Sequence, residues 1–130
     1  MYLKKRTCEV IAVSKTFNLE KIKPLIDYGH RHYGENKVQE AVDKWSEIKN
    51  EVNDIKLHMI GKLQSNKVKY AVKIFDYIHS LDSIKLAKKI HEEQMKIRKK
   101  LKIFIQINLE NEKQKSGISP SELEDLYNFS

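Results

Sequence analysis

Short apolar runs and longer amphipathic stretches take turns along this chain, and their two periods predict two kinds of element. Runs near Cys8 to Ser14, Arg31 to Tyr33, Lys56 to Ile60, Tyr77 to Ser80 and Leu101 to Asn108 have the length of strands. The run Val10-Ile11-Ala12-Val13-Ser14 is continuously apolar, as in a buried strand. Between the runs, Val38, Ala41, Val42, Trp45 and Ile48 fall on one helical face, and Ser83, Leu86, Ala87, Ile90 and Ile97 on another. Val68, Ala71, Val72 and Phe75 form a shorter third stripe. Strands and helices in alternation predict βα units around a parallel sheet.

The element ends carry their own signals. A first helix from about Leu19 to Tyr28 is stopped by Gly29, and Pro24 inside it removes a backbone donor, so the helix is expected to start late or bend. Ser119-Pro120-Ser121-Glu122 opens a last helix with a capping-box pattern and a proline in the first turn, and Leu123, Leu126 and Tyr127 give it an apolar face. Such a helix should lead into another parallel strand. The chain therefore reads as an interrupted one, and no linker, repeat or low-complexity tract divides it into domains.

Lys15 closes the run Val10-Ile11-Ala12-Val13-Ser14, where a buried strand hands over to a loop. In parallel α/β proteins the carboxyl ends of the strands carry the active site. A lysine there can lose hydration and act as an amine nucleophile toward an aldehyde. The plainer alternative, in a chain with 25 lysines and arginines, is a lysine that solvates the surface.

Polar residues at the other strand ends have similar double readings. Glu35 and Asn36 follow the second strand and precede a helix, where Asn36 can be an N-cap. Ser65 or Asn66 can cap the helix after the third strand, and Ser80 or Asp82 the one after the fourth. Asn108 closes the fifth and can hydrogen-bond across the sheet's end. His58 lies in the third strand and His30 and His32 flank the second, but no zincin motif or cysteine cluster accompanies them, so no metal site is expected.

Charge and cysteine content bound the partners. A formal charge of +7 and a pI near 9.4 raise nucleic acid as a possibility. Only Arg6, Arg31 and Arg98 are arginine, and the lysines are interspersed with acids as on a solvated surface, which argues against a specific nucleic-acid site. The single cysteine, Cys8, fits a reducing compartment, and in an apolar first strand it is expected to be buried and inert. No apolar stretch has the length of a signal peptide or a membrane span, so cytoplasmic residence is the default expectation.

Several ordered motifs then converge. Ala12-Val13-Ser14-Lys15-Thr16, Tyr33-Gly34-Glu35-Asn36-Lys37-Val38-Gln39-Glu40-Ala41 and His58-Met59-Ile60-Gly61-Lys62-Leu63-Gln64-Ser65-Asn66-Lys67 are followed by His79-Ser80-Leu81-Asp82-Ser83, Gln106-Ile107-Asn108 and Glu112-Lys113-Gln114-Lys115-Ser116-Gly117-Ile118. Together they resemble the pyridoxal phosphate homeostasis (YggS/PROSC) family, whose barrel is similar to the N-terminal domain of alanine racemase. The resemblance implies a (β/α) TIM-type barrel that holds pyridoxal 5'-phosphate as a Schiff base on Lys15. It implies a role for Asn36 near the pyridoxal ring and a polar wall of the cofactor site from Gln64-Ser65-Asn66-Lys67, with His58 lining the pocket and Ser80 and Asn108 as further candidate cofactor contacts. Family members resemble vitamin B6 carriers or regulators, without an established catalytic turnover.

A complete eight-stranded barrel normally takes about 250 residues. The 130 present supply about five of eight β/α units, a single partial barrel whose open edges invite self-association. Phosphate in such barrels usually rests on loops after the seventh and eighth strands, and the four glycines here form no phosphate cradle. Retention of the cofactor is therefore expected to be weak. Three competing readings remain: a racemase-type enzyme, which needs a second acid/base residue; a basic interaction module, which salt-titrated binding would support; and a nonfunctional remnant of a longer gene, which a stable, soluble product in cells would argue against.

Overall fold

In the computed structural model, residues 8–107 and 117–129 are described. Five parallel strands lie side by side in chain order: β1 (Ala12–Val13), β2 (His32–Glu35), β3 (Lys56–Met59), β4 (Tyr77–Leu81) and β5 (Lys102–Ile105). Helices α1 (Leu19–Tyr28), α2 (Val38–Glu51), α3 (Val68–Ile74) and α4 (Ile84–Ile97) make the four crossovers, and α5 (Pro120–Phe129) follows β5. Sequential parallel neighbours joined by helices are the arc of a (β/α) barrel. Five of its units are seen among the described residues.

The core lies between the sheet and the helices. Tyr33, Leu57, Met59 and Ile78 point from the strands against Ala41, Trp45, Val68, Ala71 and Ile90 of the helical stripes, all almost completely buried. The other face of the sheet is open: Val13 is 53% exposed and Phe104 51%. Helix ends follow local chemistry. Asn18 caps α1 by accepting from the Lys21 N–H at 3.1 Å. Gly29, at φ 110°, closes it with a reversed turn in which His30 N–H reaches the Leu25 carbonyl. At the start of α5 the Ser119 N–H donates to Glu122 Oε1 at 3.4 Å, the return arm of the expected capping box, and the Ser119 hydroxyl donates to the same oxygen at 2.8 Å.

Several expectations need correction. The first strand is two residues long, not the predicted Cys8 to Ser14, because only Ala12 and Val13 find ladder partners, in Tyr33 and Gly34. Cys8 thus lies before the sheet and is exposed, not buried in it. The fifth strand runs only from Lys102 to Ile105; Ile107 makes an isolated parallel bridge to Ile118, and Asn108 lies outside the described residues. The first helix does not start late. Pro24 sits inside it on the exposed side, where water can serve the carbonyl left without a donor.

Candidate functional site

Because all five strands are parallel, their carboxyl ends gather at one rim. Lys15 stands there, in the turn after β1, and is exposed instead of desolvated. The strand it follows is a half-open edge, so nothing covers the side chain as the sequence led us to expect. Its neighbours are held tightly. The Ser14 N–H donates to the Gly34 carbonyl at 2.9 Å, and the Ser14 hydroxyl donates to Glu35 Oε2 at 2.7 Å. Thr16 has φ 68°, a left-handed conformation that costs a β-branched residue on the order of 1–2 kcal/mol. Its N–H donates to Glu40 Oε2 at 2.6 Å. A strained residue next to a reactive candidate is a common mark of a working site.

Beneath this turn, on the helix side of the sheet, lies a charged cluster. Glu35 is fully buried at the end of β2 and receives the Trp45 indole N–H at 2.9 Å and Lys44 Nζ at 2.9 Å on the same Oε2. Lys44, from α2, has a side chain only 8% exposed and also reaches Glu40 Oε2 at 3.1 Å and the Ser14 carbonyl at 2.8 Å. All three of its donors are thus used. Burial pushes the Glu40 carboxyl up, but the Thr16 N–H and the ammonium of Lys44 outweigh it, and its pKa ends below the usual carboxylate range.

The caps expected of the site residues belong to others. Lys37, not Asn36, occupies the N-cap position of α2, and Asn36 Oδ1 is buried with no partner among the described residues. Ser83, not Ser80 or Asp82, caps α4 by accepting from Leu86 N–H at 3.1 Å, and the buried Ser80 hydroxyl likewise has no partner among the described residues. Gln64 stands at the N-cap of the 3-10 turn Ser65–Lys67, so neither Ser65 nor Asn66 caps it. Gly61 explains how Asn36 is held: a Cβ there would stand 2.6 Å from the Asn36 carbonyl oxygen, so the loop after β3 packs directly on the end of β2.

His58 lies one turn of the pleat below the rim, buried, with both ring nitrogens in use. Nε2 meets His32 Nδ1 at 2.9 Å and Nδ1 meets His79 Nε2 at 2.9 Å, so three imidazoles on three successive strands form a chain. Tyr77 stacks on His58 at 4.1 Å and Phe104 on His79 at 4.6 Å. Burial, with the neighbouring His79 and His32, lowers the His58 pKa to about 4, against a smaller opposing pull from Asp76. Nitrogens 2.9 Å apart share a proton and leave no room for a bridging metal, which needs about 2.0 Å to each. Among the described residues no cluster of His, Cys, Asp or Glu could hold a metal ion, and no helix is long and apolar enough to cross a membrane.

Sequence reasoning missed the Ser14, Glu35, Glu40 and Lys44 cluster and the partnership of His32 and His79 with His58. The spacing of Glu40 and Lys44 was an available signal, since residues four apart share a helix face. That both point inward was not.

Three comparisons bear on this geometry. The model of the alanine racemase N-terminal domain family matches residues 2–129. A pyridoxal phosphate homeostasis protein of Pasteurella multocida is 40% identical over 118 residues, covering 91% of this chain and 51% of that protein. PipY of Synechococcus elongatus, solved with PLP bound, superposes with a TM-score of 0.84 at 34% identity, over 98% of this chain and 60% of that one. The alanine racemase of Clostridium difficile, at 15% identity and a TM-score of 0.72 over 98% of this chain and 34% of that one, shares the fold. The chain spans about half the length of the curated relatives it matches.

Proposed function

This chain belongs to the alanine racemase N-terminal domain family, alongside the pyridoxal phosphate homeostasis proteins, and from that premise we propose that it binds pyridoxal 5'-phosphate through Lys15 and takes part in intracellular vitamin B6 homeostasis. The observation that carries the reading is the setting of Lys15: an exposed amine at the carboxyl rim of a five-stranded parallel sheet, between two peptide groups held by hydrogen bonds. When bound, pyridoxal 5'-phosphate supplies an aldehyde with which a primary amine condenses, releasing one water.

The residues at the rim fit such a group. Asn36 Oδ1 and Ser80 Oγ are buried polar atoms at the ends of β2 and β4 without partners among the described residues, and buried polar groups call for one. In this reading they orient the ring, His58 forms a wall of the pocket from below, and Asn108 contributes from outside the described residues. The role is that of a carrier or regulator, with no residue assigned as a second acid or base. The chain works in the cytoplasm and self-associates through the edges β1 and β5, each of which has one strand neighbour among the described residues.

The test is chemical. Purified chain is mixed with pyridoxal 5'-phosphate, the absorption spectrum is recorded, and the adduct is reduced with borohydride and mapped. Label concentrated on Lys15 and lost in Lys15→Ala is the expected result. Equal labelling across the surface lysines would overturn the assignment. Sedimentation of the chain at several concentrations tests self-association, and a strict monomer would refute it.

A further inference from the structure

The backbone direction at a residue is set by the two peptide groups that flank its Cα. At Lys15 both are held from outside the turn. The carbonyl of the preceding peptide, Ser14 O, accepts from Lys44 Nζ at 2.8 Å, and the N–H of the following one, Thr16 N, donates to Glu40 Oε2 at 2.6 Å. The two holds share one source: Lys44 Nζ lies 3.1 Å from that same Glu40 oxygen and 2.9 Å from Glu35 Oε2. A single ammonium, inserted from α2 below the sheet, therefore orients one peptide directly and the other through Glu40. No hydrogen bond or ion pair to a described residue ties the Lys15 side chain itself.

We infer that Lys44 is a positioning residue for Lys15, aiming its Cα–Cβ bond by clamping both adjacent peptide groups, with Glu40 as the second arm of the clamp. The inference rests on Lys15 as the attachment point. It accounts for two features that an ordinary structural ion pair leaves unexplained. Thr16 keeps a left-handed conformation although its side chain is branched: Phe17 N–H closes the turn on the Ser14 carbonyl at 3.2 Å, and the hydrogen bond to Glu40 holds the Thr16 peptide from outside it. Lys44 spends a donor on a strand-end carbonyl beside the candidate nucleophile, when a pair serving only packing would need the two carboxylates alone. The clamp prepares the amine for an aldehyde before one arrives, and holding a group in a productive geometry accelerates its reaction.

The experiment compares the wild-type chain with Lys44→Met, Lys44→Arg and Glu40→Ala. Each is treated briefly with pyridoxal 5'-phosphate and borohydride, and label at Lys15 is expressed relative to label at surface lysines of the same molecule. Amide hydrogen exchange over residues 14–17 is measured on the chain alone. In Lys44→Met and Glu40→Ala the Lys15 ratio should fall by about tenfold or more, with loss of protection at Thr16. Lys44→Arg, which keeps the charge and the donors, should restore part of both. Glu40 is partly exposed and at the edge of the cluster, so Glu40→Ala decides the matter if Lys44→Met does not fold. An unchanged Lys15 ratio in folded Glu40→Ala, with Thr16 exchanging freely, would overturn the clamp. So would a Lys44→Arg variant that folds but labels no better than Lys44→Met. Absence of Lys15 preference in the wild type would instead strike the proposed cofactor attachment, and the two failures are thereby told apart.

Discussion

The two faces of this sheet hold two polar networks that solve the same problem in opposite ways. Glu35 and His58 lie on adjacent strands, and strand alternation sends their side chains to opposite faces. Toward the helices, the burial of Glu35 is offset by opposite charge and by full use of the donors around it: Lys44, Trp45 and Ser14 all converge on one carboxylate oxygen. On the open face, burial disfavours charge on His58 and His79, and His58 joins His79 to His32. A neutral imidazole has one N–H and one lone pair, so His58 donates to one neighbour and accepts from the other, and the chain is complete without an ion. The first network fails when a partner is removed. The second fails when a proton is added.

The largest effect should come from breaking the charged network. Glu35→Ala leaves the Trp45 indole N–H without its acceptor and takes from the buried Lys44 ammonium the more buried of its two carboxylates, and is expected to cost about 3–5 kcal/mol in chemical denaturation. Replacing both members, as in Glu35→Leu with Lys44→Met, removes the stranded charge along with the pair. The double variant should be more stable than Glu35→Ala, and a double variant as unstable as the single would show that geometry, not uncompensated charge, dominates there.

Acid should break the other network. The ordinary histidine pKa near 6.5 holds in the unfolded chain, whereas folded His58 titrates at about 4. Between those values the unfolded chain binds a proton that the folded one refuses, so stability is present above pH 6.5 and lost as the pH falls toward 4. The loss attributable to His58 is about 2–3 kcal/mol. Urea titrations at pH 7 and pH 5 should show it, and His58→Phe should remove most of that part of the slope. An equal pH dependence in the variant would move the effect to other groups.

Much of the frame was legible in the residues. The helical stripes headed by Trp45 and Ile90 pack where their periodicity put them, because a stripe of apolar side chains has only one way to leave water. The first strand was overestimated for a related reason: Val10 is apolar, yet apolarity does not make a strand without a ladder partner, and it is exposed. The caps were misassigned by one to three residues around Asn36 and Ser80. Short polar residues cluster at such junctions, and propensity does not choose among them. Lys44 was hidden because its helix position is amphipathic by rank, and only the crossing of α2 over the end of β2 turns it inward.

A smaller effect lies at the junction beside the charged network. Gly61→Ala would put a Cβ 2.6 Å from the Asn36 carbonyl oxygen, which is backbone and cannot swing aside. A cost of about 1–3 kcal/mol is expected, as for other overpacked sites. Because Asn36 follows Glu35, the displacement should reach the charged cluster and leave the histidine chain in place. The acid dependence of stability should therefore match the wild type while the overall stability falls. A changed acid dependence would mean that the two faces are coupled through the end of β2.

The smallest expected effect is the most discriminating for function. Lys15 follows Ser14 of the charged network but belongs to neither network: its side chain is exposed and joins no described hydrogen bond or ion pair. Lys15→Ala should alter unfolding by less than about 0.5 kcal/mol, the ordinary range for a surface substitution. The peptide groups around it keep their partners, since Lys44, Glu40 and Gly34 bind the backbone of Ser14 and Thr16. Thermal or urea unfolding of the variant, with hydrogen exchange at Thr16, measures both. A stability loss of several kcal/mol would make Lys15 a part of the scaffold. Unchanged stability beside lost labelling would identify a residue kept at the rim for what its amine does, with the strain at Thr16 and the buried charges of α2 as the structure that holds it there.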